Sequence, residues 1–460
     1  MLSWLSSMVA KYFRPGLLLP VAAGVILFLT PAVGAPAKDA APDLGYIFSP
    51  DLPHDVVALH AGAAGLQPSM DTMSWETLIA LAWPASSTQN GVPDRNNQIG
   101  GIPPDPEGGS GKPAGPTVFE TFKASEDIFL NPPLKPSGFN QPQRIPGPCL
   151  LQGASLAAHS KIMVRPTSIG ATMNEVFEAF TNSPLIDQNG QYAWYEVRLD
   201  ETEFNFIVNN QYYISTKQPA MISNFPAGSN TGKEAGSFHV KAAWKIMGAN
   251  DDKTRFYTTV AFTYDPKAKQ PCRRQTMGLV GLHIAHKTQS RPQWVWSTFE
   301  QVDNDPTKGV APTQPRYSFN NPACTACPVN QQTTLGSTTP VQVLRITAIP
   351  PDKVALNAQY HQALTSINSK NVWQYYDLVD TQWPAEPSKK PLGNPIPAFL
   401  ANTVLETFFQ GPTVGPVSPK NPPHGCINCH GTYGLDKDFV FQLNDAYPQS
   451  KKKKTVLFAH

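Results

Sequence analysis

Two cysteines and a histidine near the C-terminus constrain this chain more than any other feature. Cys426 and Cys429 stand three positions apart, and His430 directly follows the second cysteine in a chain of 460 residues. In this C-x-x-C-H pattern two thiols bond to the haem vinyl groups, and the histidine is held beneath the iron. The pattern occurs once, so the sequence predicts one covalent haem c on Cys426 and Cys429, with His430 as an iron ligand.

Two other interpretations of the motif remain open from the sequence. A zinc site would need further thiolates or imidazoles, and Cys324 and Cys327 form another C-x-x-C pair. About a hundred residues separate the two pairs, far from the spacing of zinc ribbons. A disulfide between Cys426 and Cys429 is the remaining alternative. The histidine that directly follows Cys429 favours haem over both, and Cys327, which a proline follows, is not a second haem motif.

The second axial ligand of such an iron is left undecided by the sequence. No methionine follows Met277, which excludes the downstream methionine of many small cytochromes. The iron is therefore five-coordinate or is ligated by an upstream histidine or methionine. His283 and His286 are three apart in a predicted strand, so they are expected on opposite faces. The upstream histidines are His54, His60, His159, His239, His283, His286, His361 and His424.

Residues 1–35 have the pattern of an export signal. Lys11 and Arg14 precede an apolar run at residues 16–30, and small residues follow up to Ala37. The run is short for a membrane span, which needs about 20 apolar residues. We therefore expect a cleaved signal peptide and a periplasmic protein, with an uncleaved N-terminal anchor as the alternative.

Export also bears on the other four cysteines, because disulfides persist outside the cytosol. If haem takes two of six thiols, four remain, and their three possible pairings are equally open. These four are Cys149, Cys272, Cys324 and Cys327.

The charge balance argues against a nucleic-acid partner. Formal net charge is +2, and only 15% of residues are charged. Lys451–Lys454 form the one basic run. This run is expected to be a solvated tail, or else a docking patch for an acidic redox partner or a lipid surface. Membrane contact is expected only through this run or through the N-terminal segment.

Hydrophobic periodicity indicates an α+β fold, with an antiparallel sheet, flanking helices and a small helical haem segment at the C-terminus. Predicted strands cover residues 237–247, 255–264, 277–287, 293–302 and 341–349, with another after a tight turn at Asn189-Gly190. Helices are predicted over residues 73–84, 117–130, 174–180, 352–367, 399–410 and 437–447, and Asp200 is predicted to cap another.

A proline-rich stretch at residues 380–399 is typical of a linker. We therefore predict an α+β domain over residues 36–385 and a haem-binding segment over residues 386–460. The segment is too short for a large core of its own, so it is expected to dock on the domain.

Trp294 and Trp296 share one face of a predicted strand, and Trp244 is expected on a neighbouring strand. Core packing is the main expectation for these indoles. A surface that meets the haem is the alternative.

Several stretches resemble a loosely characterised group of exported bacterial cytochrome c proteins. They include SWETLIALAWP, SPLIDQNGQYAWYEVRL, GLVGLHIAHKT, PQWVWSTFEQVDN and LANTVLETFFQ, followed by CINCHG and DFVFQLNDAYP. The resemblance implies covalent haem and supplies no substrate. We expect one-electron transfer with a redox partner protein. The alternatives are a haem-dependent oxidoreductase with an open iron site and a ligand-binding or sensor protein with structural haem.

Overall fold

A nine-stranded sheet organises the part of the chain that the computed structural model describes. That part comprises residues 48–56, 65–96, 115–157, 159–164, 178, 181, 183–411 and 424–449. The strands are β1 Lys123–Ala124, β2 Lys161–Val164, β3 Trp194–Leu199, β4 Phe238–Ile246, β5 Thr258–Tyr264, β6 Cys272–His286, β7 Val295–Gln301, β8 Tyr376–Pro384 and β9 Pro395–Ile396. The helices are α1 Gln67–Ala82, α2 Gly147–Leu150, α3 Glu201–Asn209, α4 Pro351–Ile367 and α5 Cys426–Tyr433. The predicted α+β class is confirmed.

The strand order is β1-β3-β4-β6-β7-β8-β9. Strand β5 pairs with the first half of β6, and β2 pairs with β5. Every pairing is antiparallel except that of β2 with β5. The predicted export signal, the helix at residues 174–180 (apart from Glu178), His60 and Lys451–Lys454 lie outside the described residues.

One face of the sheet is covered by α1 and α4. The indole of Trp75 on α1 stacks on Tyr360 of α4, with ring centroids 4.5 Å apart, and meets Phe299 of β7 edge-on. The Trp75 Nε1 donates to Asn357 Oδ1 at 3.0 Å. The two helices pack on β7 and β8, whereas the Trp244 ring of β4 lies 6.4 Å from that of Phe119.

The opposite face, here called the motif face, carries a different set of side chains. Its register places His239 opposite Ala285, Ala285 opposite Trp296, and Trp296 opposite Gln382. Directly opposed residues in an antiparallel pair point to the same side. Helix α5 packs against this face at β8.

Several local predictions are confirmed. Gly190 has φ +73° in the turn before β3, and the Asp200 Oδ1 accepts the Glu203 N–H at 2.9 Å to cap α3. Helix α4 follows the predicted bounds, but it buries Tyr360 and Leu364 while Val354 is exposed. Helix α1 begins at Gln67, six positions before the predicted start at residue 73.

Four predictions of secondary structure are wrong, namely three helices and one strand. Residues 117–130 form two 3₁₀ turns around β1, because Lys123 and Ala124 pair with β3. Residues 399–410 form turns, since the Asn402 side chain binds Thr298 Oγ1 and the Phe299 carbonyl. Residues 437–447 hold only a short 3₁₀ helix at 441–445. Residues 341–349 make isolated bridges, not a strand.

The disulfides join Cys149 of α2 to Cys272 of β6, and Cys324 to its neighbour Cys327. This is one of the three pairings that the sequence left open.

The stretch at residues 380–399 contains paired strands. Trp383 of β8 lies opposite Ile396 of β9. Residues 43–460 group as one compact unit. A domain boundary near residue 385 remains a prediction.

Candidate functional site

Helix α5 is fixed to the sheet by one buried amide. Gln382 of β8 accepts the Ile427 N–H at its Oε1, at 2.7 Å, and donates from Nε2 to the Pro397 carbonyl at 2.7 Å. Gly425 precedes the helix with φ +110°, and an added Cβ there would lie 2.8 Å from the Gln382 Nε2. Glycine is therefore required for this close approach. Ile427 is fully buried, and the neighbouring Cys426 is partly buried against the same hydrophobic core.

The two motif cysteines are free thiols on consecutive turns of α5. Cys426 and Cys429 are partly exposed and unpaired, whereas the other four cysteines form disulfides. Burial raises the pKa of both thiols, and the nearby Glu406 carboxylate raises it further. They are thus protonated at neutral pH, unlike the low-pKa cysteines of thiol–disulfide exchange. The alternative of a disulfide between them is not realised.

His430 is held by one nitrogen and leaves the other free. Its Nδ1 donates to the Phe439 carbonyl at 2.7 Å, which makes Nε2 the unprotonated nitrogen. Phe441 stacks on the imidazole at 4.1 Å, and Trp296 meets it at 4.2 Å. Burial lowers the pKa of His430 to about 3, and the neighbouring His239 adds to this shift. A neutral imidazole held by its Nδ1–H is the usual state of a histidine metal ligand.

The Phe439 carbonyl is itself held in place by a buried ion pair. Asp438 and Phe439 both have positive φ, at 52° and 70°. The Asp438 carboxylate pairs with Lys287 Nζ at 2.7 Å and accepts the Phe225 N–H at 3.1 Å. Its carbonyl accepts the Trp294 Nε1–H at 2.9 Å. These contacts fix the turn that aims the Phe439 carbonyl at His430.

A polar group on the motif face lies close to the cysteines and His430. Lys241 of β4 is opposite His283 of β6 in the register. His283 Nε2 contacts both carboxylate oxygens of Glu406, at 2.9 and 3.0 Å. After the larger effect of burial, the charges of His239, Lys241 and His283 each lower the pKa of His430 further.

The remaining described histidines lie elsewhere or serve other contacts. His286 points to the opposite face, as its spacing from His283 predicts, where it stacks on Phe238 at 3.9 Å. His361 binds the Tyr376 carbonyl from α4. His54 contacts the Gly232 carbonyl, and His159 is exposed. His424 lies near Phe399 and Phe409.

The donor set fits a covalent haem better than zinc. The second C-x-x-C pair is oxidised to a disulfide and offers no thiolates. Across the described ranges, no group of three or more His, Cys, Asp or Glu side chains is arranged to hold a metal ion. Two thiols beside one histidine with a free Nε2 are the protein groups that a single haem c requires.

The sequence singled out Cys426, Cys429 and His430 as candidate site residues but gave no indication of the residues that contact them. Gln382 gave no local signal, since it is one amide in a proline-rich stretch. Asp438 lies in the stretch 437–447 that was predicted to be helical, but its φ is +52°. Trp244 lies on the opposite face, where its Nε1 donates to Glu196, whereas Trp296 contacts His430.

No protein-family model, curated protein or solved structure matches the chain. In the described part of the chain, none of the helices has the length and apolarity that crossing a membrane demands.

Proposed function

We propose that this chain is an exported, periplasmic cytochrome with one haem c, bonded to Cys426 and Cys429 and ligated by His430. The observation that carries the proposal is the state of His430, whose Nδ1 donates to the Phe439 carbonyl while its Nε2 has no hydrogen-bond partner among the described residues. The two free thiols lie on the same short helix. The resemblance to exported cytochromes points the same way and is independent of this contact.

We further propose that the protein transfers single electrons to or from a redox partner. Haem c supplies one-electron exchange at the iron. The motif side chains are only partly buried, so a haem bonded there would keep one edge near solvent. The aromatic contacts of Phe441 and Trp296 place the imidazole in a largely apolar setting, which favours a raised reduction potential. Lys451–Lys454 are expected to be a solvated tail, and a docking patch for an acidic partner is the alternative.

Covalent attachment is tested by producing the full chain with a haem c maturation system. The wild type is expected to give a pyridine haemochrome spectrum typical of two thioethers and one haem per chain. Cys426→Ser/Cys429→Ser should abolish covalent haem. The matched control Cys324→Ser/Cys327→Ser removes the other C-x-x-C pair and should keep full haem content. A wild type without covalent haem, or equal loss in both variants, would refute the proposal.

Electron transfer is tested on the matured protein by a potentiometric titration. A single reversible transition of one electron is expected, with rapid reduction by a small periplasmic cytochrome or a soluble mediator. Retention in the periplasmic fraction checks the export. A haem that is not reduced reversibly would leave a structural or sensing role as the better explanation.

A further inference from the structure

We propose that His239 of β4 is the second axial ligand of the iron, bound through its Nε2. This inference rests on the proposed function and assigns the coordination that the sequence leaves open. It predicts a six-coordinate, bis-histidine haem, and it therefore favours electron transfer over catalysis at an open iron.

The sheet register places His239 on the motif face, two strands from the Trp296 that contacts His430. Ala285 separates His239 from Trp296 across β6, and all three point to the motif face. The Trp296 indole lies 5.8 Å from the His239 ring and 4.2 Å from the His430 ring. Trp296 therefore lies within ring-contact distance of both imidazoles, which brings His239 and His430 to the same part of the motif face.

The surroundings of His239 are those of a metal ligand. Its Nδ1 lies 3.4 Å from the Glu203 Oε2, and both side chains are almost completely buried. This approach is a close contact and not a hydrogen bond, since neither His239 Nδ1 nor the Glu203 oxygens have a hydrogen-bond partner among the described residues. A carboxyl on the Nδ1 side of a histidine leaves Nε2 for a metal, a pattern common to histidine ligands. Within the described residues, His239 Nε2 has no hydrogen-bond partner.

His283 is the other candidate ligand on the motif face, but its Nε2 already contacts a carboxylate. Its Nε2 is engaged by Glu406 through two contacts of 2.9 and 3.0 Å. Only Nδ1 remains, and this atom is enclosed without a hydrogen-bond partner. Nδ1 adjoins the Cβ carbon, so a porphyrin approaching it would meet the histidine's own backbone. His283 is therefore placed to orient Glu406, with Lys241 beside it.

Four of the six described methionines, Met70, Met73, Met247 and Met277, are poorly placed for the same role. Met70 and Met73 belong to α1 on the opposite face of the sheet. Met247 directly follows the end of β4, and Met277 lies six positions before His283 in β6. At about 3.3 Å per residue, that is roughly 20 Å.

The test uses matured full-length protein and compares two histidine variants. Wild type is expected to be low-spin in both oxidation states and not to bind carbon monoxide rapidly when reduced. His239→Ala should become high-spin and bind carbon monoxide at once, and added imidazole should restore the low-spin spectrum. The matched control His283→Ala should stay low-spin. His239→Met should stay low-spin with a raised reduction potential, because thioether ligation raises it.

Three results would overturn the assignment while leaving covalent haem intact. These are a high-spin wild type, a low-spin His239→Ala variant, and a high-spin His283→Ala variant. The pyridine haemochrome assay reports attachment independently of spin state. A normal haemochrome with a high-spin wild type thus rejects His239 alone, whereas a missing haemochrome rejects the proposed function as well.

Discussion

The ion pair between Lys287 and Asp438 gives the sharpest stability prediction. Lys287 Nζ lies 2.7 and 2.8 Å from the two Asp438 oxygens and 2.6 Å from the Pro292 carbonyl. The two side chains are 5% and 6% exposed. Asp438→Ala would leave the ammonium buried beside one carbonyl. Breaking one partner of such a pair costs about 3–5 kcal/mol.

The free energy of deprotonating Lys287 sets an upper limit on that loss of stability. Once its partner is gone, Lys287 can lose its proton, which at pH 7 costs about 4–5 kcal/mol from an ordinary lysine pKa. Burial lowers the pKa of Lys287 and raises the pKa of Asp438. For each group, the free-energy cost of desolvating its charge therefore exceeds the gain from its interaction with the partner. Replacing both residues should therefore cost less than replacing Asp438 alone.

The assay is urea denaturation at pH 7, followed by far-UV circular dichroism, for the wild type and three variants. Asp438→Asn keeps the size of the side chain and tolerates the left-handed backbone, so it isolates the charge. Asp438→Ala adds backbone strain and should be the least stable. Asp438→Asn/Lys287→Met should be more stable than Asp438→Asn. A loss below about 1 kcal/mol in Asp438→Asn, or a double variant less stable than that single variant, would contradict the reasoning.

Two further predictions concern pH and the disulfides. Burial raises the pKa of Asp200 to about 7, so the folded state keeps a proton that the unfolded state releases near pH 4; stability should fall as pH rises from about 4 to 7. Asp200→Asn retains the helix cap and should flatten that slope in urea midpoints, and an unchanged slope would count against the raised pKa. Cys149→Ala/Cys272→Ala opens a link across 123 positions and should cost about 2–5 kcal/mol, more than Cys324→Ala/Cys327→Ala, whose link spans 3. Equal denaturation midpoints for the two double variants would show that loop length does not control the effect.

The sequence correctly predicted those features that depend on interactions between residues close together in the chain. The alternation in β4, the turn at Gly190 and the Asp200 cap each depend on neighbouring residues, and each is present. Residues 399–410 have a good helical stripe but do not form that helix, because Asn402 and Glu406 make better contacts with the sheet. Those contacts join positions about a hundred or more residues apart, such as Asn402 with Phe299, and no single-sequence pattern reports them.

The same distinction applies to the candidate site. The C-x-x-C-H spacing of Cys426, Cys429 and His430 is visible in the sequence, because the proposed attachment of haem depends on residue type and spacing alone. The contact of His430 with the Phe439 carbonyl requires two residues with positive φ, which an apparently helical stretch conceals. The opposition of Trp296 and Gln382 is a matter of strand register.

In the proposed holoprotein, both axial ligands depend on adjoining strands. Lys287 directly follows β6 and holds Asp438, which precedes the carbonyl that orients His430. His239 belongs to β4, the neighbour of β6 in the sheet. A site supported by rigid strands changes little in geometry when the charge on the iron changes. Such rigidity suits electron transfer, whereas catalysis at the iron would require one of these two imidazoles to leave.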